Sequence, residues 1–197
     1  MKETDSTYGC LALKPINISY EEATVAAYGG LLAFQAMEKG NIQTGKNVLI
    51  YGASGTTGTI AIPFAKFLGA KVTGVCSTIN LELVKSLGAD IVIDYTKVGK
   101  IAPTIQYDFI LDAVGKLKTS KLKEACKKAL APKGKYVSID DDKLLLDSGR
   151  LDKITAFFEA GHIKPIIDKC YPLEEIVEAH RYVAKGHKKG SVVIKVG

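Results

Sequence analysis

The sequence is poor in the residues that build metal sites and disulfide frameworks. Its 197 residues contain four cysteines and three histidines. No two cysteines form a Cys-x-x-Cys pair, and the histidines fall outside zinc-ligand spacing. These residues are Cys10, Cys76, Cys126, Cys170, His162, His180 and His187. We therefore expect no metal site, and we expect the cysteines to be buried free thiols.

Long apolar runs are also missing. No stretch approaches the roughly 20 apolar residues that cross a bilayer, and residues 1–5 are too polar to begin a signal peptide. We therefore predict a cytoplasmic protein without a membrane partner. With 197 residues, of which 47% are hydrophobic, the chain can form one main globular domain.

The basic residues do not form a nucleic-acid-binding motif. The formal charge is +6, but the lysines are dispersed and lack interleaved aromatic residues. We therefore expect no nucleic-acid partner, and a modest field that attracts phosphorylated cofactors. Six lysines are expected on the solvated side of one helix, namely Lys116, Lys118, Lys121, Lys123, Lys127 and Lys128.

What the sequence does contain is an apolar strand, a glycine-rich turn and the start of a helix. After the strand at residues 48–51, Ala53, Gly55 and Gly58 occupy the three positions that a dinucleotide-binding turn keeps small. The first allows a tight exit from the strand, the second lets a phosphate approach the backbone, and the third lets the helix pack close to the sheet. Exposed N–H groups and the helix dipole then favour an anion. The predicted phosphate-binding residues are Ser54, Gly55, Thr56, Thr57 and Gly58.

Strand and helix patterns alternate after this turn. The predicted strands cover residues 48–51, 71–75, 91–93, 108–111 and 135–139. Helices are expected between them, at 81–87 and 116–130. This alternation predicts an α/β fold, a doubly wound parallel sheet of the Rossmann type, with the strand C-terminal ends and the site along one edge.

The two ends of the chain depart from the alternation. Ser19 begins a helix with a capping-box pattern, and Gly29-Gly30 is expected to interrupt that helix. Near the C-terminus, the predicted elements are a helix at 151–160, an extended piece at 164–168, a helix at 174–185 and a strand at 191–196. We therefore predict a dinucleotide-binding domain with its lead-in over residues 1–164, and a separate C-terminal segment over residues 165–197.

Several segments taken together are similar to one known family. They are Ser86-Leu-Gly-Ala-Asp-Ile-Val-Ile-Asp-Tyr95, Asp108-Phe-Ile-Leu-Asp-Ala-Val-Gly115, Tyr171-Pro-Leu-Glu-Glu-Ile-Val-Glu-Ala-His180 and Gly190-Ser-Val-Val-Ile. With these segments and the glycine turn, the sequence resembles the zinc-free quinone oxidoreductase (zeta-crystallin-like) branch of the medium-chain dehydrogenase/reductase superfamily. The resemblance implies a six-stranded nucleotide-binding domain, NADPH as the cofactor, a homodimer, and hydride transfer to quinones or to the double bond of enones.

Members of that family look about one domain longer at the N-terminus, where a GroES-like catalytic domain lies. By the resemblance, residues 165–197 would complete that domain. We therefore expect a chain that binds the dinucleotide but is not competent for turnover alone, and we assign it no catalytic residue and no metal ligand. A quinone or enone substrate is expected only in a full-length parent.

The resemblance also assigns residues to the two ends of the cofactor. Ser77, Asn80 and Tyr95 stand where relatives bind the adenosine 2′-phosphate, and their hydroxyl, amide and phenol groups can donate to it. Ile79 and Asn80 replace the arginine or lysine that relatives often have, so a charge-assisted bond is missing. No carboxylate follows the second strand, which favours NADPH, with NADH as the alternative. Ser77 could instead cap the next helix. At the nicotinamide end the resemblance assigns Val114, Gly115 and Ser138, although core packing alone explains Val114 equally well. Asp112 is expected to be no more than a strand-terminal helix cap.

Two other readings stay open. An enoyl reductase module of a synthase would have the same nucleotide-binding domain, and a non-enzymatic fragment could bind nucleotide or serve only a structural purpose. A short-chain dehydrogenase is disfavoured, because that class needs a tyrosine and a lysine four residues apart on a helix. None of the nine tyrosines is followed by a lysine at that distance.

Overall fold

A five-stranded parallel sheet forms the centre of the fold. The computed structural model describes residues 11–98, 105–118 and 120–197. The strands of the sheet are β1 (Asn47–Tyr51), β2 (Lys71–Cys76), β3 (Ile91–Asp94), β4 (Tyr107–Asp112) and β5 (Leu130–Ser138). The strand order is β3-β2-β1-β4-β5, and every neighbouring pair is parallel. The predicted doubly wound Rossmann-type sheet is therefore confirmed.

The described residues form seven α-helices. They are α1 (Tyr20–Val25), α2 (Leu31–Gly40), α3 (Thr56–Phe67), α4 (Leu81–Ser86), α5 (Lys121–Lys128), α6 (Ser148–Glu159) and α7 (Ile176–Ala184). Of these, α2, α3, α4 and α5 pack on the sheet. Successive side chains of β1 point to opposite faces of the sheet. Val48 and Ile50 pack in one hydrophobic core, and Leu49 packs in a second. Each such fully buried side chain contributes roughly 1.5–3 kcal/mol of hydrophobic stabilisation. The middle of β1 is therefore apolar at every position, as is typical of a strand buried on both faces.

The N-terminal helical region begins as expected. The Oγ of Ser19 accepts the N–H of Glu22, and the carboxylate of Glu22 accepts the N–H of Ser19, which completes the capping box. The interruption predicted at the two glycines takes the form of a π-helical turn over Ala26–Gly30. A Cβ on Gly29 would lie 2.6 Å from Cγ2 of Thr56. The glycine therefore lets this turn pack directly on the start of α3.

The C-terminal part forms a second, smaller sheet. β6 (Ile167–Pro172) and β7 (Ser191–Lys195) pair in parallel and are joined by α7. This sheet replaces the sixth strand that the resemblance implied, because the strand after α6 pairs with β7 and not with β5. Just before β7, the N–H of Gly190 donates to the carbonyl of Ser54 over 2.8 Å. The segment thus packs on the glycine turn, and the division into domains at residues 164 and 165 stays a prediction.

Two of the cysteine predictions are confirmed and one is wrong. Cys76 and Cys126 are buried free thiols, and burial raises the pKa of Cys76 to about 11 and that of Cys126 to about 12. Cys170 is exposed on β6, and Cys10 lies outside the described residues. Within the described ranges, none of the helices has both the length and the apolar character needed to cross a bilayer.

Candidate functional site

The glycine turn connects the end of β1 to the start of α3. Gly52 has φ +82°, a left-handed conformation that a side chain would strain. A Cβ on Gly58 would lie 2.3 Å from the carbonyl oxygen of Gly52, so this glycine lets α3 begin against the turn. At Gly55 a Cβ would meet one heavy atom within 4 Å, the Gly52 oxygen at 3.4 Å. The fold therefore has no room for a side chain at Gly52 or Gly58, but it leaves open space at Gly55.

A cleft of about 390 Å³ opens at this turn. Four of the predicted cofactor residues line it, namely Ser54, Gly55, Tyr95 and Val114. The other lining residues are Tyr51, Gly52, Ala113, Lys118, Val183, Gly186 and Lys188. None of these described lining residues carries a carboxylate. The cleft therefore joins the C-terminal ends of β1, β3 and β4 to the segment that follows α7.

The remaining predicted phosphate residues lie around the first turn of α3. Thr56 borders a neighbouring cavity of about 460 Å³ between α1 and β7. Thr57 and Gly58 are buried in the first helical turn, where backbone N–H groups have no partner within the helix. A ligand in the cleft would reach these residues through their backbone rather than through their side chains.

Asn80 holds the turn to the loop after β2. Its side chain is only 4% exposed, and its Nδ2 donates to Oγ of Ser54 over 3.0 Å and to Oγ of Ser77 over 3.2 Å. Its Oδ1 is buried without a hydrogen-bond partner among the described residues. Ser77 precedes a 3-10 turn over Thr78–Asn80, but its side chain makes no capping hydrogen bond. The structure thus brings Ser54, Ser77 and Asn80 together, with Asn80 behind the turn and outside the lining of the cleft.

The carboxylate of Asp94 lies at the end of β3 and was not among the predicted site residues. Asp94 pairs with Cys76 in the sheet register and accepts hydrogen bonds from the hydroxyls of Thr78 and Thr96, both at 2.6 Å. Burial opposes ionisation of Asp94, but these hydrogen bonds hold its pKa below the usual value. An ionised carboxylate therefore lies beside the predicted 2′-phosphate residues, of which Tyr95 is exposed.

The loop after β4 carries the predicted nicotinamide residues. Oδ1 of Asp112 accepts the N–H groups of Val114 and Gly115, both at 3.2 Å. Gly115 has φ +90°, and a Cβ there would lie 2.4 Å from Oδ2 of Asp140. Ser138 is buried, with its Oγ 3.4 Å from Oδ2 of Asp112. Asp112 therefore fixes the loop directly, which is more than the strand-terminal cap that the sequence suggested.

One lysine of the predicted solvated row is buried. Five of the six are exposed, but Lys123 is 2% exposed and its Nζ lies 2.6 Å from Oδ2 of Asp112, which is fully buried. The helix also begins later than predicted, at Lys121 and not at residue 116. The prediction for Lys123 was wrong because spacing alone did not reveal the buried carboxylate that this lysine contacts.

Lys188 is the cleft residue that the sequence reading missed. Its Nζ donates to Oγ1 of Thr56 over 2.7 Å and to the carbonyl of Gly190 over 2.6 Å. Burial lowers the pKa of Lys188, while the charge of Asp168 opposes that shift. No ion pair formed within the described ranges includes Lys188. Its place in sequence, 132 residues after Thr56, gave no signal that it reaches the turn.

Together, the sheet, the glycine turn and the cleft define a Rossmann-type nucleotide-binding fold of the medium-chain dehydrogenase/reductase superfamily. The sequence pattern of the zinc-binding dehydrogenases matches residues 87–194, and the chain belongs to that family. The family prediction is thus confirmed. Despite the family's name, the described residues contain no group of three or more histidine, cysteine or acidic side chains that could hold a metal ion.

Individual relatives agree with this assignment. The chain is 33% identical over 196 residues to a 2-methylene-furan-3-one reductase of Solanum lycopersicum, covering 93% of this chain and 49% of that protein. It is also 33% identical over 194 residues to a chloroplastic NADPH-dependent alkenal/one oxidoreductase of Arabidopsis thaliana, with the same coverage. A crystal structure of an NAD-dependent alcohol dehydrogenase superposes with a TM-score of 0.80 at 29% identity, covering 94% of this chain and 62% of the other. The chain spans about half the length of the curated relatives it matches.

Proposed function

We propose that this chain is the nicotinamide-dinucleotide-binding part of an oxidoreductase that reduces the conjugated double bond of enones. The main observation behind the proposal is the open space at Gly55. The fold could accommodate a side chain at this position, but a phosphate that approaches the backbone here needs glycine. Family membership supports it, and so do the names of two relatives at 33% identity, both of which describe enone reduction. Quinones, which the sequence resemblance implied, are the alternative acceptor.

The residues of the cleft fit a diphosphate. The first N–H groups of α3 point out of the helix end, where the helix dipole favours negative charge. The ammonium of Lys188 stands beside the same helix end without an ion-pair partner among the described residues. Among the described residues that line the cleft, none carries a carboxylate that would repel an anion. A diphosphate would form charge-assisted hydrogen bonds with the ammonium of Lys188, and such bonds are about twice as strong as neutral ones.

The chain's own residues would orient the cofactor, and a bound nicotinamide would supply the hydride. Tyr95 and Ser77 would contact the adenosine half, and the Val114 loop and Ser138 would lie along the nicotinamide half. We propose NADPH as the dinucleotide, because one relative is named NADPH-dependent. The ionised carboxylate of Asp94 beside Ser77 favours NADH instead, since it would repel a 2′-phosphate.

Calorimetric titration of the chain with NADPH and with NADH tests the proposal. We expect saturable binding of at least one of them, accompanied by a rise in melting temperature. Tighter binding of NADPH would agree with the name of the Arabidopsis thaliana relative, and tighter binding of NADH would agree with repulsion of a 2′-phosphate by Asp94. The absence of both heat and thermal shift at millimolar concentrations of either dinucleotide would contradict the proposal and favour a non-enzymatic module.

The acceptor, the oligomer and the compartment belong to the proposal as well. We propose that turnover requires the length that the full relatives have, so this chain should reduce a quinone or an enone only at background rates. Assays of a full-length protein with enones, quinones and enoyl thioesters would separate the acceptor classes, including the enoyl reductase alternative. A homodimer formed through an open sheet edge is the expected assembly, and light scattering measures it. The cytoplasmic location stays a prediction.

A further inference from the structure

The ion pair between Lys123 and Asp112 is buried to a degree that stability alone does not explain. The two side chains are 2% and 0% exposed, and Nζ lies 2.6 Å from Oδ2. Removing both charges from water costs several kcal/mol for each ion, and apolar residues of similar volume often give an equally stable protein. The arrangement therefore calls for a reason beyond the strength of the pair itself.

The other contacts of the pair converge on the loop of residues 113–118. Besides Asp112, Nζ of Lys123 donates to the carbonyl of Gly115 over 2.6 Å and to that of Lys118 over 2.9 Å. The ammonium thus makes one ion pair and two hydrogen bonds to backbone carbonyls. Oδ1 of Asp112 accepts the N–H groups of Val114 and Gly115. The pair thus holds the loop by two of its amides and two of its carbonyls.

The loop is also restrained from its other side. Oδ2 of Asp140 accepts the N–H of Lys116 over 2.7 Å. Oδ2 of Asp112 receives a second donor, the hydroxyl of Tyr136 at 2.8 Å. Burial raises the pKa of Tyr136 above its usual range, and the hydrogen bond to Asp112 adds to that shift, so the phenol stays a donor. Val114 and Lys118, at either end of the loop, line the cleft.

We propose that Lys123 and Asp112 are positioning residues that hold the loop of residues 113–118 against the nicotinamide half of the bound dinucleotide. This inference rests on the proposed function. An apolar pair would fill the same space, but it could not bond the carbonyls of Gly115 and Lys118 or the amides of Val114 and Gly115. The ion pair therefore fixes the loop at the edge of the cleft, which an apolar pair could not do.

The test is the double variant Asp112→Leu/Lys123→Met, which leaves neither charge buried alone. We expect a lower melting temperature, because the loop carbonyls, the loop amides and the hydroxyl of Tyr136 lose these partners. Affinity for NADPH should fall by about tenfold, which corresponds to about 1.4 kcal/mol. Affinity for the fragment 2′,5′-ADP, which lacks the nicotinamide half, should be unchanged. NADH and ADP replace these probes if NADH binds more tightly. The matched control is Lys128→Met, an exposed lysine of the same helix, which should alter neither affinity.

The outcomes separate this inference from the proposed function. If the wild type binds neither probe, the proposed function fails and this inference fails with it. If the wild type binds but the variant loses no NADPH affinity, or loses affinity for both probes in parallel, this inference alone is wrong. Hydrogen exchange of the unmodified chain needs no variant. The amides of Val114 and Gly115 should be protected relative to that of Leu117, and equal exchange would overturn the proposal.

Discussion

Replacing Gly55 by alanine should separate binding from folding at the glycine turn. Gly55 has φ −83° and ψ 178°, values that alanine adopts without strain. The added methyl would meet only the Gly52 oxygen at 3.4 Å, an ordinary van der Waals distance. Reduced freedom of the unfolded chain should stabilise the variant by about 0.4–1 kcal/mol. Alanine is a poorer N-cap than glycine by a similar amount, so the net change in unfolding free energy should stay within about 1 kcal/mol.

Dinucleotide binding should respond very differently to the same methyl group. A phosphate oxygen must come within about 2.9 Å of a backbone nitrogen to accept its hydrogen bond. The methyl of Gly55→Ala would stand in the open space of the cleft through which that approach is made. Losing one charge-assisted hydrogen bond costs about 1.5–3 kcal/mol, so the dissociation constant should rise by roughly 10- to 150-fold.

Calorimetric titration and urea unfolding of the same samples measure the two effects. Gly149→Ala is the matched control, because its Cβ would also meet a single atom at 3.4 Å and it lies in α6, away from the cleft. It should leave binding unchanged. Gly58→Ala should instead destabilise the fold by about 1–3 kcal/mol, because its Cβ would lie 2.3 Å from the Gly52 oxygen. Wild-type affinity in a stable Gly55→Ala variant would refute the claim that this turn receives a phosphate.

Three other substitutions probe the charge, the support of the turn and the pH dependence of stability. Lys188→Gln should weaken dinucleotide binding about tenfold and make the affinity less dependent on salt concentration. The exposed control Lys185→Gln should do neither. If Lys188→Gln binds as tightly as the wild type, Lys188 does not belong to the site. Asn80→Ala should lower the unfolding free energy by about 1–2 kcal/mol in urea titrations, because two serine hydroxyls lose their donor, and an unchanged midpoint would contradict this. The N–H of Asn47 holds the pKa of Asp108 below its usual value, so Asp108 contributes stability above about pH 4 that is lost as the pH falls through its folded pKa. Asp108→Asn should therefore cost less than about 1 kcal/mol at pH 7 and nothing in strong acid, and a pH-independent difference would be evidence against this account.

The parts of the site that the sequence predicted are local in the chain. The strand Asn47–Tyr51 is followed directly by a turn and the helix Thr56–Phe67, which places Gly55 at the helix end whatever the rest of the fold does. The parallel sheet followed from the same local alternation of strand and helix patterns. Lys188 could not be predicted in this way. It reaches Thr56 only because α7 and β7 fold back across the turn, and no local pattern reports a return from that distance.

Lys123 was missed for a different reason, and the sequence did contain a sign of it. Residues 109–111 of the strand Tyr107–Asp112 are apolar and buried, so the carboxylate that follows them had to lie at the edge of a buried core. A buried carboxylate needs a partner, because an isolated one costs far more than a hydrogen bond returns. On α5, Leu122 and Cys126 mark the buried face, and Lys123 lies next to that face. Counting lysines on a helix predicts solvent exposure. Asking where the charge of Asp112 is balanced would have predicted the ion pair, and with it the loop that borders the cleft.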